Sequence, residues 1–213
     1  MFRKVASLRA VVLLFVLLCA GGPALGSELS LRGSIGSGFT LKSDQGDLGR
    51  TERGVSGLLY WSPHSSGSAR LLVGGGYWRS VSRITCAFEC GEFRVTTGAM
   101  PVGAGLRLHL GAQDRRRRSV YLEVLPSLIY VRQTIHQVGA FDGEPFDGQE
   151  DHWLLGGLAT IAVPIALSEE ISAELGANYL WSAKLSKPTG DRFFTGDLNG
   201  LNELSFVLGV AVR

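Results

Sequence analysis

Five ionisable residues, Arg32, Arg107, His109, Glu123 and Glu174, are spread over some 140 positions of a 213-residue chain. Strand alternation nevertheless turns all of them to one side. Arginine and glutamate facing one another support two kinds of chemistry, mutual neutralisation or a gated path for ions. An isolated ion in a low-dielectric interior costs several kcal/mol, so such a set is expected to satisfy itself as a salt-bridge network. Arg32 is followed on the same face by Ser34 and Thr40, while Ser172, Asn178, Glu203 and Ser205 continue that face near the C-terminus. No metal-ligand spacing accompanies them, and no cofactor is expected.

Other candidates lie between the regular segments. Cys86 and Cys90 bracket Ala87-Phe88-Glu89. In an oxidising compartment they are expected to form a disulfide, stiffening a loop tip that displays Phe88, at a gain of only about 2 kcal/mol for so small a ring. The stretch Phe141-Asp142-Gly143-Glu144-Pro145-Phe146-Asp147-Gly148-Gln149-Glu150-Asp151 is acidic. Its spacing is not that of an EF-hand. Asp142, Glu144, Asp147, Glu150 and Asp151, with Phe88, are therefore taken as candidate binding residues of outer loops. The run Arg115-Arg116-Arg117-Arg118 is the cationic counterpart. At an anionic lipid surface each arginine adds about 1 kcal/mol of attraction, so this run is expected to touch headgroups.

The elements that must position these residues are strands. In Ile171 to Trp181 every odd residue is apolar, and in Leu204 to Val212 every even one is. A period of two sorts side chains onto two faces of a strand. One face is apolar enough for lipid; the other carries Ser, Glu, Asn and Gly. About 9–11 tilted residues cross a bilayer core. Eight segments qualify, near 28–42, 53–62, 69–80, 94–111, 119–134, 152–166, 170–184 and 201–213. Short turns at 63–68, 113–118 and 168–170 alternate with longer stretches near 43–52, 81–93, 135–151 and 185–200. That asymmetry is expected of a membrane barrel with short inner turns and long outer loops.

Aromatic residues fall at the strand ends. Phe39, Tyr77, Tyr130, Trp153, Tyr179 and Trp181 are expected near the outer interface, and Trp61 and Tyr121 near the inner one. The N-terminus carries an address: Arg3, Lys4 and Arg9, an apolar run from Ala10 to Ala20, then Ala24-Leu25-Gly26 before Ser27. This predicts a cleavable signal peptide over 1–26 and one barrel domain over 27–213. Lipidation at Cys19 is disfavoured by bulky Leu18. A formal net charge of +2 gives no bulk electrostatic case for nucleic acid.

On these alternating segments, most sharply Leu204 to Val212, the chain resembles the small eight-stranded outer-membrane barrels of the OmpA/OmpX type. The resemblance implies an all-β, antiparallel, up-and-down transmembrane barrel in the outer membrane of a Gram-negative-type bacterium. It implies outer-membrane lipids and lipopolysaccharide as surroundings and the barrel-assembly machinery as a partner in biogenesis. Strands read by that machinery usually end on an aromatic residue, where this chain has Arg213. An envelope-integrity or surface-binding role through the outer loops follows, with a narrow pore and a lipid A-modifying enzyme as alternatives. Lipid A deacylases show a His-x-Ser pair, and none of His64, His109, His136 or His152 has Ser two residues later. No catalytic residue is assigned.

Overall fold

The computed structural model describes residues 27–43, 46–50, 54–63, 68–85, 92–110, 120–138, 147–184, 189–190 and 198–213. The expected signal segment, Cys86, Phe88, Cys90, Asp142, Glu144 and the arginine run 115–118 lie outside them. The strands are β1 (Glu28–Gly36), β2 (Thr40–Ser43), β3 (Gly46–Arg50), β4 (Gly54–Ser62), β5 (Ala69–Thr85), β6 (Glu92–Leu110), β7 (Val120–Val138), β8 (Asp147–Ala166), β9 (Ile171–Lys184), β10 (Thr189–Gly190) and β11 (Leu198–Val212). Eight of them form the wall, in the order β1, β4, β5, β6, β7, β8, β9, β11. Antiparallel pairing of β1 with β11 closes the ring, Leu29 opposite Val212 and Gly36 opposite Ser205. The short hairpin of β2 and β3 extends the same wall along β11, and β10 pairs with the start of β8. Closure gives each of the eight wall strands a partner on both sides, which is what allows a sheet to sit in hydrocarbon.

Alternation decides which side each residue takes. On β11, Leu204, Phe206, Leu208 and Val210 point outward, Phe206 being 78% exposed, while Glu203, Ser205, Val207 and Ala211 are buried inside. Leu31, Ile35, Leu106, Leu155, Ile161 and Leu175 continue an outer surface that water would not tolerate over such an extent. Tyr77, Tyr130, Trp153, Tyr179 and Trp181 stand on that surface toward the end away from the termini. Tyr130 meets Trp153 at 5.0 Å between ring centres, and Tyr179 stacks on Trp181 at 6.3 Å. A band of aliphatic side chains edged by aromatic rings fits a bilayer and its interface.

Three expectations are corrected. Phe39 is not at the lipid surface but fully buried in the lumen, and Thr40, expected inside, is not. Between β1 and β2 the chain leaves strand geometry at Ser37-Gly38-Phe39, Gly38 adopting φ 84°, so the inward set changes from even to odd numbers. Tyr121 is likewise a lumen residue, 1% exposed, rather than part of an inner aromatic belt. Finally, Asp147, Glu150 and Asp151 belong to β8, not to a loop. Both β7 and β8 run further from the membrane than their apolar alternation indicates.

The interior is tiered. Near the termini lie the charged groups. Above them Phe39, Leu41, Leu58, Leu72, Trp78, Leu125, Ile129, Leu154, Leu158, Leu180 and Leu201 make an apolar cluster. The inner face is therefore not confined to the Ser, Glu, Asn and Gly that the last strands place there. At the far end Thr97, Gln133, Glu150 and His152 are buried again.

Candidate functional site

Arg32 rises from β1 into the centre of the terminal end and is 1% exposed. Its guanidinium engages Glu123 of β7 at both Nη atoms, with Nη2 to Oε1 at 2.9 Å. Its Nε donates to Glu174 of β9 at 2.7 Å. This is the fork geometry in which arginine binds carboxylates best. The Ser30 hydroxyl donates to the same Glu174 oxygen at 2.6 Å, and Arg32 Nη2 also reaches the Tyr121 hydroxyl at 3.0 Å. Arg107 of β6 donates from Nε to Glu123 at 2.6 Å and stands 3.7 Å from Glu174. The two guanidinium groups are themselves walled by rings: Arg32 lies 4.5 Å over Tyr60, and Arg107 4.5 Å over Tyr121. Such stacking adds about 1–2 kcal/mol where water is excluded.

The structure thus joins Arg32, Arg107, Glu123 and Glu174 into one network. His109 stays outside it: its ring meets the Tyr121 edge at 6.1 Å, and its Nε2 has no hydrogen-bond partner. Glu28, which the sequence reading passed over, is a full member. It pairs with Arg107, with Arg70 at 3.2 Å and with Arg213 at 3.0 Å. Its even number on β1 was the available signal, since Ser30 and Arg32 share that face. The contact also gives Arg213 a structural role at the end of β11. Three glutamates therefore face four arginines, two at the centre and two at the rim.

Glu28, Glu123 and Glu174 each accept from an arginine of the set, while Arg107 Nη2 and Arg70 Nε are buried without a hydrogen-bond partner. The arrangement fills the lumen at its terminal end with mutually paired charges. Among the described residues no cluster of three potential ligands could hold a metal.

Glu203 behaves differently. It is 2% exposed, and neither of its carboxylate oxygens has a hydrogen-bond partner. Its head lies against Gly36, where an added Cβ would collide with Oε1. That glycine is required by close approach rather than by its backbone angles.

At the distal end His152 stands 3.3 Å from Glu150, buried, while Gln133 donates to Thr97 at 3.3 Å beside them. On the outer face of the same strands, Arg132 of β7 is bound by Asp151 of β8 at 2.9 Å, and His136 pairs with Asp147. Burial raises the Asp151 carboxyl, but the hydrogen bonds from Arg132, Tyr130 and Gln149 and the Arg132 charge together outweigh it and hold the group below the usual carboxylate range. Of the acidic candidates, then, Asp147 is exposed and Asp151 half-buried, both ion-paired on the outer face, and Glu150 points inward.

Neither a protein-family model nor a curated protein matches the chain. Solved structures do. Neisserial surface protein A is 16% identical, with 88% of this chain and 99% of that one covered at a TM-score of 0.47. Ail, the attachment invasion locus protein of Yersinia pestis, crystallised with the heparin analogue sucrose octasulfate, is 13% identical over 88% and 99% at 0.48. The N-terminal β-barrel domain of Pseudomonas aeruginosa OprF is 10% identical over 87% and 96% at 0.35.

Proposed function

We propose that this chain is an outer-membrane barrel of a Gram-negative-type bacterium, structural in its lumen and a surface-recognition protein at its distal end. The observation that carries this reading is the unequal length of the strands. β5, β6, β7 and β8 contain 17, 19, 19 and 20 residues. About 9–11 suffice to cross a bilayer core. The surplus builds a continuous polar wall on one side of the barrel, projecting roughly 20 Å beyond the membrane at about 3.3 Å per residue with strand tilt. A chain that needed only to span or to conduct has no use for such a wall, and a filled lumen argues against a permanent channel. Loops carried on a rigid scaffold are where binding concentrates.

The test is to replace residues 139–146 by a two-residue turn, keeping β7 and β8 intact. Bacteria displaying the full chain should adhere to one or more members of a panel of immobilised glycans and matrix proteins. The shortened barrel should still show the mobility change on heating that marks a folded barrel, yet lose that adhesion. Equal adhesion by both, or none by either, contradicts the proposal.

A further inference from the structure

We propose that the terminal end of the lumen is a binding site for a monocarboxylate, formed by Arg70, Arg107 and His109 beside Glu28. The inference rests on the membrane placement proposed above, which turns this end toward the periplasm. The members sit at the ends of their strands: Glu28 opens β1, Arg70 is the second residue of β5, and His109 is the last but one of β6. Register sets Arg70 directly opposite Arg107, and His109 is the next inward position after Arg107.

Like charges directly opposite on neighbouring strands are destabilising, because their Cβ atoms lie only about 5 Å apart. Here one carboxylate serves both cations and a third. Arg107 pairs with Glu28 Oε1, while Arg70 at 3.2 Å and Arg213 at 3.0 Å share its Oε2. The other two glutamates are bound by Arg32, and Glu123 alone of them also accepts from Arg107.

Donors are left over. Arg107 is 2% exposed, yet its Nη2 has no hydrogen-bond partner and stands 3.7 Å from Glu174. Arg70 Nε and His109 Nε2 are likewise buried without one. In the tautomer with its hydrogen on Nε2, His109 is a third unused donor. Arg70, Arg107 and Arg213 all act on the charge of His109, so the four groups lie close together. Buried donors left unpaired are costly, and one acceptor with two oxygens supplies what these lack.

Charge and access select the occupant. Four arginines meet three glutamates at this end, a surplus of one positive charge among the described side chains. A monoanion balances that surplus. A phosphate, with nearly two negative charges above pH 7, would exchange one uncompensated charge for another. Chloride has the charge but lacks the paired oxygens that a guanidinium fork matches. These side chains point into the lumen, away from the headgroups outside the wall. Arg70 and Arg213 keep 26% and 46% of their side chains exposed, so the approach from this end passes two flexible residues.

Solution NMR of the full barrel in zwitterionic detergent tests this, with the imidazole signals of His109 as reporter. The titrations are run at constant ionic strength and pH 8, above the ordinary histidine range. Sodium acetate should shift those signals saturably in wild type. Arg70→Gln, which leaves Glu28 paired with Arg107 and Arg213, should weaken the apparent affinity about tenfold, the loss of one charge-assisted hydrogen bond. Chloride and phosphate should act at least about tenfold more weakly than acetate. An acidic peptide with blocked ends separates two sources of the same group. Binding as tight as acetate or tighter assigns the site to a polypeptide segment, and weaker binding assigns it to small free carboxylates. The absence of a saturable shift, an unchanged affinity in Arg70→Gln, or chloride or phosphate as effective as acetate overturns the proposal. Heat-dependent gel mobility is read on the same samples. Its absence refutes the membrane reading, whereas a heat-shifted barrel without an acetate response refutes the site alone.

Discussion

Arg32→Ala should lower the stability of the folded barrel by about 3–5 kcal/mol, because it leaves Glu123 and Glu174 buried without their principal cation. Urea unfolding in lipid vesicles, followed by tryptophan fluorescence, measures this. The informative comparison is the triple variant Arg32→Met/Glu123→Leu/Glu174→Leu. It removes Arg32 together with both of its carboxylate partners and leaves Arg107 paired with Glu28. Apolar replacements of similar volume restore packing without stranding a charge, so the triple variant should be far less destabilised than the single one. If the single substitution is harmless, the cluster is wet and its charges are solvated, and the plug is not what the contacts describe. The contrast between single and triple variants separates the worth of the pair from the cost of an orphaned ion.

Trp78→Ala should cost a similar amount, about 3–5 kcal/mol, through a different mechanism. Trp78 is fully buried in the apolar tier to which Leu58, Leu72 and Leu154 also belong. Truncation opens a cavity between two polar layers that cannot both collapse into it. Its indole nitrogen has no hydrogen-bond partner, so Trp78→Phe removes an unpaired donor together with part of the ring. That variant should lose much less, since the penalty of an unsatisfied buried N–H disappears with it. The same urea measurement reads both. Comparable losses for Ala and Phe would mean that the indole N–H is satisfied and the tier is not packed as described.

These two sites differ in how far they could be read from sequence. Arg32, Arg107, Glu123 and Glu174 are charges at inward-alternating positions of otherwise lipid-compatible strands, and a charge facing hydrocarbon is so costly that its side is effectively dictated. Trp78 offered no such signal. It follows Tyr77, and an aromatic pair at a strand end fits the interface or the lumen equally well until the register is known. Tyr121 shows how a local expectation can conflict with alternation. The period that places Glu123 inside also places Tyr121 inside, and the expectation of an aromatic belt overrode it. Phe39 and Thr40 were misplaced for a purely backbone reason, the Gly38 irregularity that shifts the alternation by one.

The outer halves of β5 to β8 were hardest to read. Beyond the membrane both faces of a strand meet polar surroundings, so Val81-Ser82-Arg83 or Gln149-Glu150-Asp151 no longer alternate in hydrophobicity and look like loop. Only the ladder pairing, such as Arg132 with Asp151 and Arg94 with His136, reveals them as wall. Register rather than sequence spacing likewise places Arg79 level with Arg132 and Arg83 opposite Arg94.

A lumen filled by two unlike layers would be sealed, and the proposed function would then rest with the distal end. Single-channel recording in planar bilayers, on protein whose folding is verified by heat-dependent gel mobility, tests it most directly. The structure predicts a silent bilayer at high protein loading, because ions would have to cross both the Arg32 and Arg107 network and the apolar tier around Trp78. Discrete conductance steps from the folded wild-type barrel would contradict it.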